Sequence, residues 1–240
     1  MCKKTAISDD FENGQTPTSV RFWQELLADE PDEALSVCRK QIEALSPSAD
    51  AAELLERQRA LARQSLARIS HGAEAAMGSI PRTLGFFTSA SDRAVSYKAI
   101  CGFLELLKSR LSFLDSESLH FQGLYSILQQ HRAELLRAEA MALSVQKAAK
   151  RSKNQAFAEA GEKLLQSLSR YKSEDLAILN SAKSLERLLE GFCLRTCREF
   201  CRFAAAKADL EHEGAGASPA EISRLLWGLR EEAERLLKEI

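Results

Sequence analysis

LYSILQQHRAELLRAEAMALSV, residues 124–145, sets the terms for the rest of the chain. Starting at Leu124, the positions Leu128, His131, Leu135, Ala138, Ala142 and Val145 alternate steps of four and three. At 3.6 residues per turn those steps fall on one stripe of a helix, whereas the two-residue period of a strand would throw them to both faces. A stripe that repeats in sevens is the seam of two helices packed at a shallow angle. The polar run Lys150 to Gln155 interrupts this seam, and Phe157, Ala160, Leu164, Leu168 and Tyr171 resume it in a shifted phase. Ile178, Ala182, Leu185, Leu189, Phe192, Thr196, Phe200 and Phe203 extend it almost to Leu210. Periodicity alone leaves residues 154–212 open between one helix and two.

The rest of the chain agrees with this reading. From Arg82 to Ser218 there is no proline, and an interior proline costs a helix about 3 kcal/mol through a lost hydrogen bond and a clash with the preceding turn. Aromatic residues make up only 7% while 45% of the 240 residues are hydrophobic, so the chain has ample material for a core but few residues suited to a pleated surface. The expected fold is all-α: an elongated antiparallel helical bundle with coiled-coil character and a short N-terminal helical hairpin. A 35-residue helix at about 1.5 Å per residue is about 52 Å long, which is the source of the expected elongation.

Proline, glycine and capping residues divide the chain. Residues 1–17 are polar and without sustained period, and read as a mobile tail. In 18–80, Val20, Trp23, Leu26 and Leu27 share one helical face, and Pro31 stops that helix and opens another bearing Ala34, Leu35, Cys38, Ile42 and Leu45. Ser46 and Pro47 read as the cap and first position of a long helix with an apolar face of Leu54, Leu55, Leu61, Leu66, Ile69, Ala73 and Met77. Residues 81–91, with Pro81, Gly85, Phe86 and Phe87, read as a loop. The long-helix bundle occupies 92–213, opened by a Ser89–Asp92 cap, and its first helix carries Val95, Ala99, Phe103, Leu106, Leu107, Arg110, Leu111 and Leu114. Residues 214–240 begin with glycine and alanine, then a Ser218–Glu221 capping box with Pro219 at the first helical position. They read as a helix closing the bundle with Ile222, Leu225, Leu226, Leu229, Ala233, Leu236, Leu237 and Ile240.

The formal net charge of -1 gives the molecule no large field toward nucleic acid, although charge is segregated along the chain. Met1 to Glu56 holds 5 Lys+Arg against 12 Asp+Glu, and Arg137 to Lys172 holds 8 against 3. No opening segment has the order of a secretory signal, and no uncharged apolar run approaches the roughly 18 residues of a membrane span. The expected location is therefore the cytoplasm, where Cys2, Cys38, Cys101, Cys193, Cys197 and Cys201 stay thiols.

Four sets of residues have the spacing of chemistry. Cys193, Cys197 and Cys201 place three sulfurs on one helical stripe, a weak metal-ligand candidate for Cu(I) or Zn²⁺. Structural zinc usually takes cysteines two to four residues apart in a turn, so core packing is the stronger explanation. Glu117 with His120 and Asp209 with His212 repeat the carboxylate-x-x-His spacing of di-iron bundles, which also needs two further inward carboxylates. His131 lies on the apolar seam and is read as a core histidine with one hydrogen-bond partner. Lys147, Lys150, Arg151 and Lys153 form a basic face, a contact for an anionic surface if anything but a solvated helix. Aromatic residues for base stacking are sparse there, which counts against nucleic acid.

There is no phosphate-binding loop, nucleophile elbow or metalloprotease helix, and no motif that calls for a cofactor. These features favour a non-enzymatic helical adaptor, scaffold or chaperone-like protein that acts through protein–protein contacts or self-association. The alternatives are a peripheral membrane-surface protein binding anionic lipid through the basic face, and a metal-binding helical bundle.

Overall fold

A computed structural model describes residues 18–46, 48–82, 87, 89–115, 119–211 and 218–240. The protein is an all-α helical bundle, and among the described residues there is no strand. In chain order the helices are α1 (Val20–Asp29), α2 (Pro31–Ala44), α3 (Ala49–Gly78), α4 (Ala90–Phe113), α5 (Phe121–Ser152), α6 (Gln155–Glu211) and α7 (Pro219–Glu239). The tail expected over residues 1–17 and the Gly214–Ala217 breaker lie outside the described residues, as does Pro47.

Local chemistry explains most of the boundaries. The α1 helix ends where the Glu30 amide bonds the Leu26 carbonyl at 2.8 Å, and Pro31 then opens α2, where its missing N–H costs nothing. Ser89 Oγ accepts from the Asp92 amide at 3.0 Å to open α4. The polar run after α5 is a true break: Lys153 takes φ 56°, the left-handed turn that ends a helix, and Asn154 Oδ1 accepts from the Phe157 amide at 3.0 Å to begin α6. From there residues 155–211 form one helix, which resolves the choice left open by periodicity. One start differs from expectation. The α3 helix opens at Ala49, with the Ser48 carbonyl accepting from the Ala52 amide at 3.1 Å, so Ser46 is not its cap.

The chain divides into two compact units, each drawn from separate stretches of sequence. The first contains the described residues up to Glu53 together with Leu124–Asn180. Its α5 and α6 segments run antiparallel, as pairs Lys172–Glu139 at 2.7 Å and His131–Asp175 at 2.5 Å show by their opposed numbering. The α1 and α2 hairpin packs on them. Trp23 is fully buried, with its ring 5.9 Å from that of Phe157, and Arg151 reaches Gln24 at 3.4 Å. Leu26, Leu27, Ala34 and Cys38 join Leu135, Ala142, Val145, Leu164 and Leu168 in one core. Burial of such side chains contributes about 1.5–3 kcal/mol each, far more than the exposed ion pairs around them.

The second unit contains Leu54–Gly123 and Ser181–Ile240. Here α3 and α7 are antiparallel, with Arg63 donating to the Ile240 carbonyl at 2.6 Å, Ser70 to Glu234 at 3.2 Å, and Arg230 lying 3.8 Å from Glu74. The α4 and α6 segments are antiparallel too: the Phe103 and Phe203 rings are 5.6 Å apart and Lys207 sits over the Tyr97 ring at 5.9 Å. Leu66, Ile69, Ile100, Leu107, Leu189, Phe192, Leu226 and Leu236 fill the core.

The expected stripes hold for α1, α2, α5, α6 and α7 and shift in part on α3 and α4. On α3 the buried positions are Ala51, Leu55, Gln58, Ala62, Ser65, Leu66, Ile69, Ser70, Ala73 and Ala76, while Leu61 is 38% exposed. On α4 they are Ser96, Ile100, Phe103, Leu104 and Leu107, and Val95 is 50% exposed. The face follows helical register rather than side-chain size, and the largest residues of these two helices do not all share one register.

Candidate functional site

The α5–α6 seam carries a polar cluster in the middle of its apolar run. His131 replaces the leucine expected between Leu128 and Leu135, and Asp175 replaces the apolar residue expected between Leu168 and Ala182. His131 Nδ1 lies 2.5 Å from Asp175 Oδ2, and Nε2 lies 3.0 Å from the Ser46 carbonyl oxygen. The side chains of the pair retain only 15% and 11% of their accessible surface. His131 therefore has two partners rather than the one expected.

The second of these partners governs the chemistry. A histidine whose Nδ1–H is held by a carboxylate is the arrangement used to present Nε2 as a general base. Here Nε2 faces a carbonyl oxygen, which only accepts, so Nε2 carries the proton and is occupied. The cluster ties α5, α6 and the link between α2 and α3; it does not present a base to a substrate. Asp175 Oδ1 is buried and has no hydrogen-bond partner among the described residues.

Cys193 is half-buried, and Cys197 and Cys201 are exposed on the outer face of α6. Burial first, and then the neighbouring Cys197, Asp115 and Glu190, push the Cys193 thiol up to about 11, and burial pushes that of Cys38 up to about 12. Both stay protonated at neutral pH, which makes them poor nucleophiles and poor ligands. Among the described residues no group of three His, Cys, Asp or Glu side chains is placed to hold a metal ion. His120 is exposed at φ 54° and Asp209 is exposed; Glu117 and His212, their expected partners, lie outside the described residues.

Lys147, Lys150, Arg151 and Lys153 are all exposed. Lys150 and Arg151 occupy the last turn of α5, where cations complement the partial negative charge of a helix C-terminus. A groove of about 130 Å³ lined by Arg59, Ser181, Ser184, Leu185, Leu188, Glu239 and Ile240 is well below the roughly 300 Å³ at which small-molecule sites begin.

Which apolar side chains stay exposed was not foreseen. Phe113 is 52% exposed and Leu194 68%, and the antiparallel register that opposes Phe103 to Phe203 brings these two to the same level of the second unit. Trp227 on α7 is half-exposed beneath the Arg230 guanidinium, 5.4 Å from the ring centroid. Leu136 and Leu143, two turns apart on α5, are also exposed. Their signal lay in the register itself, one position away from the seam at Leu135 and at Ala142.

Among the described residues no helix is long and apolar enough to cross a membrane. Searches of protein families, curated proteins and solved structures return no match to this chain.

Proposed function

We propose that the chain is a non-enzymatic helical adaptor or scaffold that binds another protein, or a second copy of itself, through apolar helix surface. The observation that carries this reading is the exposure of Phe113 on α4 and Leu194 on α6, each more than half, at the level set by the Phe103–Phe203 register. Around them the α6 surface continues through the exposed Cys197 and Cys201, small apolar residues that let another helix approach closely. Phe113, with the Arg110 guanidinium 5.2 Å from its ring centroid, and Leu194 are large exposed side chains on two adjacent helices, which suits the helix-against-helix mode of recognition, in which anchors at i, i+3 and i+7 enter a partner's groove.

Light scattering joined to cross-linking mass spectrometry tests the reading. The expected result is an oligomer or a cross-linked partner attached near Phe113 and Leu194, lost in the double variant Phe113→Ser with Leu194→Ser while helicity is kept. A monomer from which no partner is cross-linked overturns it.

A second reading, attachment to an anionic membrane surface, rests on the exposed Lys147, Lys150, Arg151 and Lys153 at one end of α5. Each basic residue near such a surface contributes about 1 kcal/mol. Failure to sediment with phosphatidylserine vesicles at low salt removes it.

A further inference from the structure

The α6 helix carries two stripes of heptad spacing in the second unit. One faces inward: Leu189, Phe192, Thr196, Phe203, Ala206 and Leu210 are buried. The other faces out. Leu194, Cys197, Cys201, Ala204 and Ala208 recur at steps of three, four, three and four, and each of them is exposed. That spacing makes them the a and d positions of a second seam. On the basis of the self-association proposed above, we infer that this outward seam pairs antiparallel with the same seam of a second copy of the chain, about a two-fold axis at the level of Glu199.

Register follows from symmetry. In an antiparallel seam each a position faces a d position of the partner helix, and a two-fold axis repeats every contact. An axis at Glu199 sets Cys197 against Cys201 of the second copy, Leu194 against Ala204, Glu190 against Ala208 and Arg187 against Glu211.

Size and charge select this occupant. The seam is bulky at one end, where Leu194 is 68% exposed and the Phe103–Phe203 register places Phe113 of α4 at the same level, and it narrows to alanine at the other. Antiparallel pairing brings bulk to alanine at both ends, whereas parallel pairing sets leucine on leucine and leaves a gap between alanines. Arg187 and Glu211 are exposed, and the antiparallel register joins them twice where a parallel one opposes like charges. Glu211 also bonds the Tyr97 hydroxyl, which leaves its negative charge uncompensated. Against these stands one unfavourable contact, Arg198 beside Arg198 of the second copy, exposed and therefore weak. At about 1.5 Å per residue, Arg187 and Glu211 stand about 36 Å apart, too far to meet within one helix.

Charge exchange in the full chain tests the pairing. Sedimentation equilibrium is expected to show a dimer that Arg187→Glu or Glu211→Arg weakens on the order of tenfold and that the double exchange restores. Because the two residues cannot reach each other on one helix, restoration identifies a contact between copies. Both are exposed, so each variant keeps its fold, which circular dichroism checks. The native thiols read the register. Glutathione disulfide accepts the two electrons and two protons given up by Cys197 of one copy and Cys201 of the other, and leaves as two glutathione thiols while the interchain bond forms. In an equal mixture of unlabelled and nitrogen-15 chains, the Cys197–Cys201 linked peptide should join the two labels in about half of its molecules. A dimer that the double exchange does not restore, or one that links Cys197 to Cys197, overturns the antiparallel seam. A monomer that still cross-links to another protein at Leu194 overturns it too and leaves the adaptor reading standing; a monomer with no partner overturns both.

Discussion

Gly161 of α6 faces Val145 of α5 so closely that a Cβ placed on it would lie 3.1 Å from Val145 Cγ1 and 3.6 Å from the Gln146 backbone nitrogen. The absent side chain is what lets the two helices meet at this level, beside the buried Phe157. Gly161→Ala is expected to be nearly neutral, because about 1 kcal/mol of helix propensity offsets the tight methyl contact. Gly161→Leu has no room against backbone and should destabilise by about 1–3 kcal/mol, read by chemical denaturation. Equal stability of the two variants contradicts the close approach.

Leu189 is 1% exposed in the core of the second unit. Leu189→Asp buries an unpaired carboxylate there, a change expected to cost about 3 kcal/mol or more and to melt the unit on heating well before the wild type. Unaltered helicity and melting temperature would show that this stripe faces water.

Ser218 Oγ accepts a hydrogen bond from the Glu221 amide at 3.1 Å and opens α7. Ser218→Ala should weaken that helix by about 1 kcal/mol and leave the first unit untouched. Faster amide exchange confined to Ala220–Ile240 is the expected signature; exchange that is unchanged there refutes it.

Glu232 joins α6 to α7 through Arg195 and pairs with Arg235 at 2.8 Å on its own helix. Burial alone would raise its carboxyl, but the hydrogen bonds and charges of Arg235 and Arg195 outweigh burial and hold it below the ordinary value of 4.5. A carboxyl lowered on folding stabilises the fold above its unfolded-state value and loses that contribution as pH falls through the lowered one. Denaturation curves on either side of pH 4.5 should therefore show an acid loss that Glu232→Gln reduces. An identical acid dependence in the variant counts against the pairing.

The helical class and the faces of α5 and α6 were legible because their apolar positions repeat over many turns, so a single misplaced residue cannot turn the stripe. The faces of α3 and α4 were legible only in part: Leu55, Leu66, Ile69 and Ala73 on α3 and Phe103 and Leu107 on α4 are buried as expected, but Leu61 and Val95 are not. In an alanine-rich helix the register is carried by Ala51, Ala62 and Ala76, which are buried, while Leu61, a larger and more conspicuous residue, stands outside. His131 was legible as a seam histidine, and its partners were not: Asp175 lies 44 residues away and Ser46 85. Periodicity tells which face a residue occupies and says nothing of what is brought against it.

What the amino-acid order determined by itself is local: the proline-free stretch from Arg82 to Ser218, the capping serines and the four-and-three spacing demand helices, and short-range hydrogen bonding enforces them. Which helices become neighbours, why an imidazole in an apolar stripe finds both a carboxylate and a carbonyl, and why Phe113 and Leu194 remain in water were decided only in three dimensions. Side-chain packing and long-range hydrogen bonds depend on the positions of residues far apart in the chain, and no local pattern encodes those positions.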